Sequence, residues 1–261
     1  MIHPKKHLGQ HFLTDVSVAR RIVDALHPAN GDTVLEIGAG TGILTGLLLQ
    51  KEIRLLTVEI DPESVAHLLK KWPELSGRLI EKDFLQMDLD AFIDGPFHVI
   101  GNFPYNISSQ IFFRILEQKH RIPTVVCMLQ KEVARRITTP PGSRQYGILS
   151  VLLRAYYDTE SLFTVKPGSF FPPPKVTSGV IRLERNRIDE LPCNEKLFFR
   201  VVKTTFNQRR KMIRNSIKSI LLNLDSQFEL LTKRPEELDI PEFIELTNWV
   251  ESQLAANGRR P

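Results

Sequence analysis

Cysteine is scarce in this chain, and long apolar runs are missing from it. With only two cysteines in 261 residues, a disulfide framework is excluded. The seven histidines are scattered and do not cluster with the cysteines, so the sequence predicts no metal site. No apolar stretch approaches the length of a membrane span, and the first ten residues, MIHPKKHLGQ, lack the apolar core of a signal peptide. We therefore expect a cytoplasmic protein with no membrane partner.

Negative charge is missing from one segment near the C-terminus. Between Lys196 and Lys218 the chain has eight lysines and arginines and no acidic residue. The whole chain has a formal net charge of +5, so removing these eight leaves −3 for the rest. Because the positive charge is local, we expect an anionic partner at this segment.

Five cations of this segment are predicted to bind RNA. They are Arg209, Arg210, Lys211, Arg214 and Lys218. Three of them are spaced four residues apart, so a helix would place Arg210, Arg214 and Lys218 on one face. Like charges at this spacing repel by about 0.2–0.5 kcal/mol per pair, and phosphates would relieve that repulsion. A solvated charged face that binds nothing is the alternative interpretation.

Three glycines on alternate positions follow a short apolar run. The segment VLEIGAGTG, residues 34–42, predicts a buried strand that ends in Gly38, Gly40 and Gly42. Apolar residues at helical spacing come next. A strand, a glycine turn and a helix make the opening unit of a nucleotide-binding α/β fold, in which the backbone approaches the ligand and the helix start offers free N–H groups. A tight turn without a ligand is the alternative.

The glycine spacing and two later acids favour one cofactor. The dinucleotide fingerprint would need glycine where Ile43 stands, and no P-loop sequence is present. Glu59 ends the second predicted strand, where its carboxylate could accept hydrogen bonds from ribose hydroxyls. Asp83 ends the third, where it could accept from an adenine amine. Together these features favour S-adenosylmethionine over NAD, although each acid could also be a solvated strand end.

Strand-like and helix-like segments alternate through most of the chain. The predicted central strands lie at 34–37, 54–61, 78–83, 97–100 and 124–130. Such alternation predicts a mostly parallel sheet covered on both faces, and a strand–loop–strand pattern from Tyr156 to Leu183 predicts an antiparallel pair at its edge. Beyond a polar linker the pattern is helical only. We predict an α/β domain over residues 1–187 and a small, basic, all-helical domain over residues 188–261.

The stretch Asn102-Phe103-Pro104-Tyr105 follows the fourth strand at the same sheet edge. The Asn102 side-chain oxygen and a backbone carbonyl could accept both hydrogens of a base amine, while Tyr105 stacks on the base. Asn and Pro are also common turn formers, so a simple turn is the alternative. In the proline-rich loop SFFPPPKV, Phe170 or Phe171 could cover the second face of the base.

Taken in order, six segments resemble one enzyme family over almost the whole chain. They are KKHLGQHFL (5–13), EIGAGTG (36–42), NFPYNIS (102–108), QKEVARR (130–136), FFPPPKVTS (170–178) and NQRRKMIRNS (207–216). They are similar to the bacterial small-subunit rRNA adenine-N6,N6-dimethyltransferases, the kasugamycin-sensitivity enzymes, which are relatives of the erythromycin-resistance rRNA methyltransferases. The resemblance implies a Rossmann-like, S-adenosylmethionine-dependent methyltransferase fold with an all-helical C-terminal domain. It also implies dimethylation of two adjacent adenosines in the 3′-terminal hairpin of 16S rRNA during small-subunit assembly, without a metal, by a monomer.

The resemblance also assigns site residues by position. The cofactor contacts fall on His11, Leu13, Gly38, Glu59, Asp83 and Asn102. The target-base contacts fall on Asn102, Pro104, Tyr105 and Phe170. Two positions depart from the family pattern, which often has Asn at position 11 and usually has Leu at position 103. Since the backbone carbonyl is the group needed from Phe103, we expect activity to survive.

Three other functions stay open on sequence alone. A DNA adenine methyltransferase shares the chemistry, but such enzymes usually have Asp at the position of Asn102. An NAD-dependent oxidoreductase would use a similar glycine turn. A non-catalytic assembly factor could grip rRNA with the same pocket, and only a turnover assay separates it from an enzyme.

Overall fold

The computed structural model describes residues 2–221 and 227–256. Its strands are β1 (Phe12–Leu13), β2 (Thr33–Ile37), β3 (Arg54–Glu59), β4 (Leu79–Glu81), β5 (His98–Asn102), β6 (Thr124–Gln130), β7 (Tyr157–Val165), β8 (Phe170–Phe171) and β9 (Ser178–Arg185). Its α-helices are α1 (Val16–Asp24), α2 (Thr45–Leu48), α3 (Pro62–Lys71), α4 (Ser108–Glu117), α5 (Lys131–Thr138), α6 (Ile148–Arg154), α7 (Glu195–Asn207), α8 (Ile213–Ser216) and α9 (Ile240–Ala256). None of the helices in these described ranges is long and apolar enough to cross a bilayer.

Seven strands form one mixed sheet in the order β4-β3-β2-β5-β6-β9-β7. The pairs from β4 to β6 are parallel, and β9 runs antiparallel to β6. This confirms the predicted parallel sheet, with the two late strands at one edge. The chain moves outward from β2 through β3 to β4, and then returns to β5 on the other side of β2. The carboxyl ends of β2 and β5 therefore meet at the topological switch point, where α/β sheets bind ligands.

Apolar sequence and capping residues explain why the elements around this point form. In the middle of the sheet, Val34 and Leu35 of β2 are fully buried, as expected for a parallel strand covered on both faces. Helix α3 begins at Pro62, whose fixed φ suits the first turn, and Asp61 caps it by accepting from the backbone N–H of Glu63. Helix α1 is capped in the same way by Asp15. Helices α1 and α3 therefore each begin directly after an aspartate that caps the first turn.

A separate two-stranded ribbon joins the N-terminal segment to the proline-rich loop. Strand β1 pairs antiparallel with β8, so that Phe12 lies opposite Phe171 and Leu13 opposite Phe170. The Thr14 backbone N–H extends the pairing by donating to the Ser169 carbonyl over 2.8 Å. This ribbon holds residues 7–13 in place beside the sheet.

Contacts divide the chain into two compact units. The first consists of Met1–Arg135 and Asp158–Arg185, and the second of Arg136–Tyr157 and Asn186–Pro261. The predicted boundary at residue 187 lies within two residues of the last unit boundary, but the structure groups the segment 136–157 with the helical unit. Within that unit α6 packs on α7, and the Tyr146 ring lies edge-on to Phe206 at 6.0 Å between centroids. The apolar face of α6 is visible in the sequence, whereas the surface it covers is not.

Candidate active site

A cavity of about 290 Å³ opens at the switch point of the sheet. Most of the predicted cofactor and base residues line it. These are His11, Leu13, Gly38, Glu59, Asp83, Asn102, Pro104 and Tyr105. They come from five separate stretches of chain, which the parallel sheet and the ribbon bring together. Phe170 and the alternative to it, Phe171, are the predicted residues of the α/β domain that are not part of the cavity wall.

The glycine turn after β2 has the backbone that a close ligand approach requires. Gly38 and Gly40 have positive φ values of +72° and +54°, a backbone conformation that residues with a side chain rarely adopt. A Cβ on Gly40 would lie 2.8 Å from the Phe12 ring, so any larger residue there would displace the ribbon. The turn is therefore fixed both by its own conformation and by the aromatic ring that covers it.

Glu59 is held by three backbone N–H groups. Gly40 donates to its Oε2 over 2.8 Å, and Ile60 and Asp61 donate to its Oε1 over 2.9 Å. Burial raises the pKa of the Glu59 carboxyl, although these hydrogen bonds act in the opposite direction. A carboxylate has roughly four lone-pair sites, so acceptor capacity remains for a ligand hydroxyl. The arrangement fits the predicted ribose contact.

Glu36 is a second buried acid in the cavity wall. Its side chain accepts a 2.6 Å hydrogen bond from the Thr45 hydroxyl. Burial raises the pKa of this carboxyl to about 7. Asp83 is less buried, and its two oxygens accept from the Leu85 backbone N–H and the Gln86 amide. Three acids and Lys82 line the cavity. Because Glu36 is protonated below about pH 7, Glu59 and Asp83 are the two acids that suit a ligand with positive charge.

Asn102 is oriented by a hydrogen bond from the ribbon side of the cavity. Its Nδ2 donates to the His11 backbone carbonyl over 2.8 Å, so Oδ1 is the atom available as an acceptor. The His11 ring stacks on Tyr105 with 5.5 Å between centroids, and its Nδ1 lies 2.8 Å from the Pro172 carbonyl. The Tyr105 hydroxyl lies 2.5 Å from the Ser178 hydroxyl. A single residue, His11, thus contacts two of the predicted base-binding side chains, Asn102 and Tyr105.

A family model described as "Ribosomal RNA adenine dimethylase" matches residues 1–245 of the chain. This chain belongs to the ribosomal RNA adenine dimethylase family. It is 54% identical over 260 residues to "Ribosomal RNA small subunit methyltransferase A" of Bacteroides thetaiotaomicron, covering 97% of this chain and 96% of the relative. The Phocaeicola vulgatus protein of the same name is 53% identical over 257 residues, with 97% and 92% covered.

Solved structures share the fold of this chain. The chain is similar to the 23S rRNA methyltransferase ErmE, with a TM-score of 0.65, 27% identity, and 90% and 99% of the two chains covered. A dimethyladenosine transferase of Plasmodium falciparum matches with a TM-score of 0.76 at 23% identity, over 95% and 99% of the chains, which is a likeness of fold. The predicted fold, a Rossmann-like methyltransferase sheet, is confirmed, and this rRNA adenine dimethylase is an rRNA methyltransferase.

Phe170 does not line the cavity of this dimethylase in the structure. Its side chain is 4% exposed and packs in the core cluster with Leu13 and Val165. The strand pair explains this, because Leu13 and Phe170 lie opposite each other and share the face that is turned to the core. The sequence shows two adjacent phenylalanines but not which of them a two-residue strand turns inward.

The prediction that one helix places Arg210, Arg214 and Lys218 on the same face is wrong. Arg210 precedes α8 and lies in a turn, Arg214 is in α8, and Lys218 is in the short 3-10 helix that follows. Arg209 is only partly exposed, and its guanidinium donates to the Ser143 carbonyl over 3.0 Å and faces Glu236. The other four predicted RNA-binding cations, Arg210, Lys211, Arg214 and Lys218, are exposed.

Several site residues were missed by sequence reasoning. Phe12 covers the glycine turn, and Ile60 lines the cavity with 46% of its surface exposed. Asp61 is fully buried and binds Lys5 and Gln10 of the N-terminal segment. Ile60 and Asp61 directly follow Glu59, so their position after a strand-end acid was a usable signal. Nothing in the sequence connects Asp61 with a segment more than fifty residues away.

Proposed function

We propose that this chain uses S-adenosylmethionine to dimethylate N6 of two adjacent adenosines in the 3′-terminal hairpin of 16S rRNA, during assembly of the small ribosomal subunit. The observation that carries the proposal is the fixed amide of Asn102, whose Oδ1 is kept available as an acceptor by the bond from Nδ2 to His11. The small-subunit names of relatives 53–54% identical to this chain support the choice of rRNA.

The cavity residues fit the cofactor. Glu59 would accept hydrogen bonds from the ribose hydroxyls of the cofactor, and Asp83 from its adenine amine. Gly38 has no side chain and would let the cofactor approach the backbone. His11 and Leu13 contribute from the ribbon. When bound, S-adenosylmethionine supplies a methyl group on a positively charged sulfur, and the acids of the wall are suited to that charge. No group of three or more His, Cys, Asp or Glu side chains in the described part of the chain could hold a metal ion.

The role of Asn102 follows from the chemistry of the adenine amine. The N6 lone pair is delocalised into the ring, which makes it a poor nucleophile. Acceptors on both N6 hydrogens, from Asn102 Oδ1 and the Phe103 carbonyl, favour a pyramidal nitrogen and localise the pair. The Phe103 ring is 1% exposed and packs edge-on to Phe112 at 5.9 Å, so phenylalanine in place of leucine leaves the carbonyl unobstructed. The enzyme contributes position and electrostatics.

The target adenosine must leave its stack to reach this position. Because His11 lies against one face of the Tyr105 ring, a base would stack on the opposite face, with Pro104 beside it. Phe170 stays our predicted residue for covering the second face of the base, and its side chain would have to turn out of the core to do so. Four exposed cations, Arg210, Lys211, Arg214 and Lys218, bind phosphates, whereas Arg209 has a structural role.

A turnover assay on the natural particle tests the proposal. Purified protein and S-adenosylmethionine are added to small subunits from a strain that lacks this modification, and the rRNA is analysed by mass spectrometry. We expect two adjacent dimethyladenosines. Methylation of duplex DNA but not of the particles would favour a DNA methyltransferase. Binding to the particles without methylation would favour an assembly factor. Binding of NAD in place of S-adenosylmethionine, measured by calorimetry, would favour an oxidoreductase. Sedimentation tests the predicted monomer.

A further inference from the structure

The ribbon of β1 and β8 has two different faces. Leu13 and Phe170 lie on the face turned to the core, where both are buried. Phe12 lies on the other face, where its ring covers Gly40. Directly opposite residues of an antiparallel pair project from the same face, so Phe171, the partner of Phe12, projects on the glycine-turn side. Its side chain is nevertheless 57% exposed, whereas Phe12 is 7% exposed.

A contact of the residue next to Phe171 connects this loop with the proposed base site. That residue, Pro172, offers its carbonyl to His11 Nδ1 at 2.8 Å. The His11 ring in turn stacks on Tyr105. The loop that carries Phe171 therefore contacts the base-binding residues through Pro172 and His11, whereas Phe171 itself lies outside the cavity wall. An exposed phenylalanine at this rim has no role in the core and none in the cofactor site.

The charge around the ribbon indicates the kind of partner. Residues 1–14 and 161–183, which supply the two strands and their flanks, contain no aspartate or glutamate. The acid next to them, Asp15, caps α1 and accepts from the Ser169 hydroxyl over 3.3 Å. The same stretches contain cations, among them Lys166 and Lys175, which are both exposed. Single-stranded nucleic acid is the ligand that combines planar rings with a negative backbone, and exposed aromatics beside cations are its usual binding surface. An apolar protein partner would leave these cations unpaired.

We propose that Phe171 stacks on an unpaired base of the RNA next to the adenine held between Asn102 and Tyr105. The assignment rests on the proposed function for the place of the first base, and it adds a second base-binding site that contributes affinity by aromatic stacking. If the two target adenosines are neighbours, the second of them is the base that Phe171 holds while the first is methylated.

Matched substitutions of this one exposed side chain test the proposal in the full-length protein. Phe171→Leu keeps an apolar side chain but removes the ring, and Phe171→Trp keeps the ring. Val176→Ala is the control, since Val176 is 45% exposed in the same loop. Affinity is measured by fluorescence anisotropy with an rRNA hairpin fragment carrying two adjacent unmethylated adenosines, and with single-stranded oligoadenylate. Calorimetry with S-adenosylmethionine shows whether each variant keeps an intact cofactor site.

Loss of the ring should weaken RNA binding. We expect about a tenfold rise in Kd for Phe171→Leu, within the 5- to 140-fold range that about 1–3 kcal/mol per stacked base implies. Phe171→Trp and Val176→Ala should bind RNA within about twofold of the wild type, and cofactor affinity should not change. Wild-type RNA affinity in Phe171→Leu would overturn the proposal. Because these are binding measurements, they decide the role of Phe171 even where the particles are not methylated, a result that counts against the proposed function alone.

Discussion

At the scale of single residues, the site depends on side chains whose hydrogen bonds leave one atom free for a substrate. Asn102 keeps Oδ1 because its Nδ2 is bound to His11, and Glu59 keeps acceptor capacity after binding three backbone N–H groups. Such preorganised acceptors need no rearrangement when a ligand arrives, which is the main source of electrostatic catalysis.

Replacing Asn102 by alanine should therefore slow methyl transfer without unfolding the protein. We expect kcat to fall by about 10²- to 10³-fold, the usual effect of removing one preorganised hydrogen-bonding group. Asn106→Ala is the matched control, since Asn106 also lines the cavity and should lose little activity. The measurement is the rate of methyl incorporation into small-subunit rRNA. Full activity in a folded Asn102→Ala variant would contradict the proposed role.

Glu36 predicts an unusual dependence of stability on pH. Because burial raises its pKa to about 7, the folded protein holds a proton that the unfolded chain releases near its ordinary value of about 4.3. The stabilisation of the folded state by protonated Glu36 is complete below the unfolded pKa of about 4.3 and is lost as the pH rises through the folded pKa of about 7. The free energy of unfolding is measured with urea between pH 4.5 and 8. Over this range it should fall by roughly 3 kcal/mol more in the wild type than in Glu36→Gln.

The control for this measurement is Glu81→Gln, which changes an exposed carboxyl and should follow the wild-type pH curve. The unfolding of all three proteins is measured in the absence of cofactor, since a cationic ligand would change the ionisation of the cavity. If Glu36→Gln and the wild type lose the same free energy over this range, then Glu36 is ionised in the folded state.

At the scale of elements, the N-terminal segment is fixed to the start of α3 by Asp61. The buried Asp61 carboxylate pairs with Lys5 and accepts from Gln10 and the Ser64 hydroxyl. Burial raises the pKa of this carboxyl, but the hydrogen bonds outweigh burial and its pKa lies below the ordinary value. This group, which we call the Asp61 cluster, holds the stretch that leads into the ribbon beside the cofactor cavity.

Asp61→Asn should weaken cofactor binding although Asp61 lies outside the cavity wall. Asparagine still caps α3, but it loses the ion pair with Lys5, so the segment is in place for a smaller fraction of the time. We expect about a tenfold higher Kd for S-adenosylmethionine by calorimetry. Glu63→Gln, which removes the exposed partner of Lys5 at 3.3 Å, should have almost no effect. Equal effects of the two substitutions would argue against the cluster.

The sequence predicts local elements well because their causes are local. The bounds of β6, Thr124–Gln130, agree with the predicted range, because an uninterrupted apolar run marks this strand. It fails where the decisive partner is distant in the chain. The inward turn of Phe170 depends on β1, the buried role of Asp61 on the N-terminal segment, and the fate of Arg209 on Ser143. The run of cations after α7 is broken by turns that helical spacing could not reveal.

At the scale of the whole molecule, the net positive charge of the chain depends on one segment, in which Arg210, Lys211, Arg214 and Lys218 are exposed. The exposed cations around α8 should contribute to the salt dependence of RNA affinity, whereas Arg209 should not. We expect Arg214→Ala and Lys218→Ala each to reduce the slope of log Kd against log salt concentration by about one. Arg209→Ala should keep the slope and lower the stability by about 1 kcal/mol, because it loses an internal hydrogen bond.

Filter binding of small-subunit rRNA at several salt concentrations measures these slopes, and thermal unfolding measures the stability. The outcome that contradicts the assignment is a reduced slope for Arg209→Ala together with unchanged unfolding. In that case Arg209 would leave Ser143 and bind a phosphate.

The interrupted course of the chain through its helical unit limits how the molecule can be taken apart. Because residues 136–157 belong to that unit, a protein cut after position 187 would retain α6 and Tyr146 but lack the helix they pack against. Their apolar surfaces would be left in water, and such a fragment should aggregate. Exchange of the helical unit between two relatives must accordingly transplant two separate stretches together, and recombination at a single crossover would join mismatched halves.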